Sequence, residues 1–307
     1  MWSQLTRRYP WLNASHPIAA REARRDHQAL PTFLLKLTDP WTMLGYAALL
    51  HGMFFVMSLF SYNRINRAFP NMMLPFLTPF GTPVAVAILH SILYWAMLIG
   101  ICNQLTYFVS ADLQARTWVL LRTTPYTASE ILLVKMAVVA RIWFRVMRIL
   151  LLTRAIGLLL IPISAMVQRS TENYSEVGLN VVAGAVFLLQ PLADAFMIAS
   201  LSLLSSFLVQ GVMWAKVGAY ALAATVYGAL SGASGLYLIY KSPLGTLGGL
   251  LVPLNHWAAL VSAVTPATSS EELILRTGVM ILMYVLLPVA IGVFAFKAAV
   301  RLAEAHY

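Results

Sequence analysis

The run from Val84 to Val109, VAVAILHSILYWAMLIGICNQLTYFV, contains no Asp, Glu, Lys or Arg. A hydrocarbon core of about 30 Å takes roughly 20 mainly apolar residues in helical form. In lipid, only helices and closed barrels satisfy every backbone amide. Barrel strands would read as alternating segments of about ten residues, whereas this run is continuous. Similar runs place spans at 41–61, 84–109, 149–167, 179–207, 216–238 and 273–296. Composition agrees, because only 10% of residues are charged where soluble domains carry about 25%. The expected fold class is therefore all-α, integral membrane, with six transmembrane helices.

Basic residues orient those spans, since cytoplasmic connections collect Lys and Arg. Of the 21 Lys and Arg, Arg64, Arg67, Arg169, Lys241 and Arg276 fall on one side and Arg154 lies inside a span. The remaining fifteen fall on the other side, which makes the N- and C-termini cytoplasmic. Residues 1–40 are polar and basic, with no cleavable leader, and read as a cytoplasmic amphipathic N-terminal segment. Residues 41–307 form the transmembrane domain. Net charge is +10; in so apolar a chain it points to anionic membrane lipids rather than nucleic acid. The single cysteine, Cys102, excludes an intrachain disulfide.

Between the second and third spans lies LRTTPYTASEILLVK, Leu121 to Lys135. Pro125 disfavours helix at Thr124. Thr127-Ala-Ser-Glu130 then matches a capping box, in which the Thr hydroxyl and the Glu carboxylate each accept from the other residue's backbone N–H. A new helix is expected from about 127 to 136. Its continuation mixes Lys135, Arg141, Arg145 and Arg148 with large apolar residues, the pattern of an interfacial basic amphipathic helix leading into the third span.

These residues resemble the membrane subunits of ABC transporters, specifically the type-2 exporter permeases. HPIAAREARRD, His16 to Asp26, is similar to the family's Asn-Pro-aliphatic-x-x-Arg-Glu-x-basic segment, with His16 in place of Asn. DLQARTWVLLRTTPYTASEILLVK, Asp112 to Lys135, follows the family line built on Thr-Pro-x-Ser/Thr-x-x-Glu-Ile and a later Lys. The resemblance covers essentially the whole chain. It implies a permease subunit, an exporter, in the cytoplasmic membrane as a multi-pass protein. It also implies two copies of an ABC ATPase subunit as partners, and a second permease chain completing a homo- or heterodimer. Pro125, Thr127, Glu130, Lys135, Arg21 and Glu22 are the expected ATPase-coupling residues.

This chain carries no G-x-x-x-x-G-K-S/T run, so ATP and Mg are expected on the partner, with no cofactor and no enzymatic activity here. A non-transporting scaffold subunit and an integral-membrane lipid-modifying enzyme are the competing classes. His51 and His90 have no second ligand at helical spacing and no metal is expected. Arg154 and Asp194, both within spans, are expected to form an intramembrane ion pair. Ala221, Ala224, Gly228, Gly232 and Gly235 line one span for close helix approach. Residues 241–272, apolar but broken by Pro and Gly, read as a re-entrant or external helical segment.

Overall fold

A computed structural model describes residues 16–25, 84–168, 174–241, 278–279 and 281–305. Every element among the described residues is helical: α1 (Pro17–Arg25), α2 (Val84–Gln114), α3 (Thr117–Arg122), α4 (Ala128–Gln168), α5 (Tyr174–Leu208), α6 (Val212–Lys241) and α7 (Leu287–Ala305). A π-helical turn, Leu282–Leu286, runs directly into α7. Among the described residues, three stretches are long and apolar enough to cross a membrane: Ile92–Gln114, Gly184–Leu208 and Leu282–Ala305. The chain is a helical membrane protein. The expected spans 149–167 and 216–238 fall within α4 and α6; the expected span 41–61 and, beyond Lys241, the expected re-entrant or external segment 241–272 lie outside the described residues.

α5 is the hub, packed against α2, α4, α6 and α7. Its core-facing side carries Met197, Leu203 and Phe207, while Ser200, Ser202 and Ser206 return their hydroxyls to carbonyls of their own helix. That self-satisfaction lets small polar residues sit inside a dry interface. The turn from α5 to α6 passes through Gly211 at φ 94°, a left-handed conformation that glycine adopts without a Cβ penalty. Across that turn the Ser205 hydroxyl donates to the Ala215 carbonyl at 2.7 Å.

α2 and α4 meet through a glycine and an indole. A Cβ built on Gly100 would lie 1.8 Å from the indole of Trp143, so the ring rests on bare backbone. The same indole N–H donates to Gln104 Oε1 at 2.8 Å, which satisfies its polar end inside the core. α1 lies outside this bundle and packs against α4.

Candidate functional site

The segment between α2 and α4 is built from local rules. α2 ends at Gln114, and the chain turns through Arg116 in the left-handed region (φ 54°) before α3 begins. α3 is closed by Thr123, whose hydroxyl donates to the Leu120 carbonyl at 2.8 Å, and by Thr124, which bonds the Leu121 carbonyl. Pro125 then prevents the helix from continuing. The capping box expected from the sequence is present: Thr127 N–H donates to Glu130 Oε2 at 2.8 Å and Glu130 N–H donates to Thr127 Oγ1 at 3.2 Å. The helix it starts is a single element of 41 residues rather than a short piece at 127–136. At 1.5 Å per residue, α4 is about 60 Å long.

Beneath that cap lies a cluster of four charged side chains from three elements. Lys135 Nζ donates to Glu22 Oε1 and to Asp112 Oδ2, both at 2.7 Å, and to the Phe108 carbonyl at 3.1 Å. All three ammonium protons therefore have acceptors. Asp112 Oδ1 accepts from Arg21 and, at 2.7 Å, from the Thr117 hydroxyl. The Lys135, Glu22 and Asp112 side chains are fully buried, and Arg21 is one-third exposed. Two carboxylates meet two cations, so the cluster carries no net charge. Desolvating such groups costs several kcal/mol per ion, and only complete pairing offsets it.

His16 precedes α1 and extends the junction. Its ring lies 4.6 Å from that of Tyr126, and its carbonyl accepts from Ala20 N–H to close the first turn of α1. Burial lowers the imidazole pKa from its ordinary value of 6.5, and the Glu130 carboxylate opposes that shift. α1 is thus held at two points, by a tilted ring contact at its start and by ion pairs at its middle.

Sequence reasoning named Arg21, Glu22 and Lys135 among the coupling residues, and the structure brings all three together. Asp112, the hub that accepts from Lys135, Arg21 and Thr117, was not among them; its signal was the acidic position that opens the α2–α4 line. The outer surface of the segment belongs to other residues: Thr123, Pro125 and Thr127 are exposed and Glu130 is half-buried.

A second polar cluster lies deeper. Arg154 from α4 and Asp194 from α5 are both buried, within electrostatic reach of each other, and both lie against Tyr94 of α2. Tyr94 donates its hydroxyl to Asp194, and the Arg154 guanidinium stands over the Tyr94 ring at 5.5 Å and the Phe187 ring at 4.2 Å. Arg154 also donates to the Phe187 carbonyl. That carbonyl has a reason to be available. Pro191, four residues on, has no N–H to bond it. Arg154 supplies the donor that Pro191 removes. Tyr94 and Phe187 were not anticipated, because their part depends on which helices meet.

Ala221, Ala224 and Gly228 on α6 are exposed, and a Cβ at Gly228 would meet nothing within 4 Å among the described residues. Among the described residues no group of three His, Cys, Asp or Glu side chains could hold a metal. No protein-family model matches the chain, and no match is found among curated proteins or solved structures.

Proposed function

We propose that this chain is the membrane-spanning permease subunit of an ABC transporter, working as an exporter with six spans and cytoplasmic termini in the cell membrane. ATP and Mg are bound and used by a separate ATPase subunit, present in two copies, and a second permease chain completes the pore. The observation that carries this reading is the buried cluster of Arg21, Glu22, Asp112 and Lys135. These residues come from the two sequence lines that resemble permeases, and their ion pairs fasten the lines together.

The physical role follows from the arrangement. A partner pressing on Pro125, Thr127 and Glu130 meets a helix end stiffened by a capping box. α4 then runs without interruption to Arg154, 26 residues or about 39 Å further along. Displacement at the cap is therefore delivered to the intramembrane cluster by one rigid element. Lys135 and Glu22, being fully buried, act by holding α1 to that element and not by touching the ATPase. The exposed small-residue face of α6 suits the second permease chain, since such faces let helix backbones approach closely in lipid.

The test is gentle extraction and co-purification. Wild-type protein should bring down a chain bearing an ATP-binding loop, and Thr127→Ala with Glu130→Ala should weaken that association or separate ATP hydrolysis from transport. A scaffold subunit would bring down no ATPase, and a lipid-modifying enzyme would keep its activity in the double variant. Wild-type protein that never recovers an ATPase contradicts the proposal.

A further inference from the structure

α4 carries two classes of cation that the sequence does not separate by composition. Lys135 points into the carboxylate cluster, whereas Arg141, Arg145 and Arg148 are exposed along one side of the helix. Arg145 and Arg148 have no carboxylate partner among the described residues. Phe144 and Leu152 share this side and are 55% and 46% exposed. Alternation of arginine with large apolar side chains suits a surface that is half headgroup and half acyl chain.

The direction of the side chains supports the same reading. Helical side chains lean toward the N-terminus of their helix. Under the topology proposed above, on which this inference rests, the N-terminus of α4 is cytoplasmic. Arg148 therefore leans back toward the inner membrane surface, and its guanidinium lies 5.9 Å from the centre of the Phe144 ring, one turn nearer that end. Arg154, six residues or about 9 Å deeper, is buried and bonded within the protein. Arg148 is accordingly the last exposed cation of α4 before the apolar stretch that follows.

We infer that Arg145 and Arg148, seated beside Phe144, form a binding site for the phosphate headgroup of an anionic phospholipid in the inner leaflet. Guanidinium groups match phosphate oxygens in planar, two-point geometry, and the exposed ring gives the glycerol and upper acyl region an apolar seat. A lipid bound there would fix the depth of α4 beside the junction with α1.

The full-length protein, without any ATPase, is reconstituted in phosphatidylcholine bilayers holding a minority of spin-labelled phosphatidylglycerol. The motionally restricted fraction then gives the association constant relative to spin-labelled phosphatidylcholine. The wild type should prefer phosphatidylglycerol, and Arg145→Gln and Arg148→Gln should each lower that preference roughly fivefold. Added salt should reduce it, and Arg145→Lys with Arg148→Lys should recover part of it, which separates lost charge from lost folding. A wild type without preference, or a double glutamine variant that keeps it, overturns the inference. So does a double glutamine variant that retains lipid preference but no longer recovers an ATPase, because the stripe would then belong to an acidic protein surface. Because the lipid measurement contains no ATPase, its failure is distinct from failure of the transporter reading.

Discussion

The two polar clusters solve one problem in different ways. At the α1–α4 junction, two cations meet two carboxylates, and each proton of the Lys135 ammonium has its own oxygen. Around Arg154 the arrangement is less direct. Tyr94 stands against both Arg154 and Asp194, and the guanidinium spends one donor on a backbone carbonyl that Pro191 leaves open. The first cluster joins separate stretches of chain, and its loss frees an element. The second joins α2, α4 and α5 within the bundle and repairs a defect in α5. Full charge pairing fastens; a shared tyrosine and a freed carbonyl adjust.

The largest expected effect breaks the first cluster. Lys135→Met leaves Glu22 and Asp112 buried and facing each other, a loss of about 3–5 kcal/mol. Thermal unfolding of the purified protein should show it as a lower midpoint. Adding Glu22→Gln and Asp112→Asn should recover much of the loss, because unpaired buried charge is what costs.

In the second cluster, Arg154→Met removes both a donor to the Phe187 carbonyl and the cation beside buried Asp194; the carbonyl's share of the loss is about 1–3 kcal/mol. Pro191→Ala restores an N–H four residues on and should recover roughly 1 kcal/mol in that background. The same substitution in wild type should not show that gain. Additive losses in this double-mutant cycle would mean that Arg154 is not repairing the proline.

Legibility from sequence divided along the same line. The capping box was readable because Thr127 and Glu130 are three residues apart and satisfy each other locally. Arg154 and Asp194 stood out because charges inside apolar runs are rare. What joins them was not readable. The Phe187 carbonyl has no side-chain signature, and Tyr94 lies on another helix 100 residues from Asp194. Lys135 was grouped with the arginines of α4, yet at about 100° per residue it lies roughly 80–140° away from their stripe. That angular offset was in the sequence and marks it as the inward cation. Asp112 stands in the sequence as the acidic position that opens the α2–α4 line, but its place between Glu22 and Lys135 required the fold, since those two come from segments 113 residues apart.

Smaller effects sharpen the picture at the cap. Thr127→Ala removes a capping group worth about 1 kcal/mol, which should fray the start of α4 and leave the intramembrane cluster unchanged. Amide exchange at residues 128–131 reads this directly.

The smallest effect is a pH dependence. With the His16 pKa lowered by burial, the undocked imidazole binds its proton first as pH falls below 6.5. Docking of α1 should therefore be strongest above that pH and weaken below it, levelling off once the docked imidazole is protonated as well. His16→Asn should flatten this dependence.

The central claim is that buried charge pairs hold the N-terminal helix to the segment that starts α4. Amide hydrogen exchange of residues 17–25 in the full-length protein, held in lipid bilayers, tests it most directly. The account predicts slow exchange in wild type and fast exchange in Lys135→Met, while residues 92–114 stay protected in both. Fast exchange of 17–25 already in wild type, or equal protection in the two proteins, would contradict it.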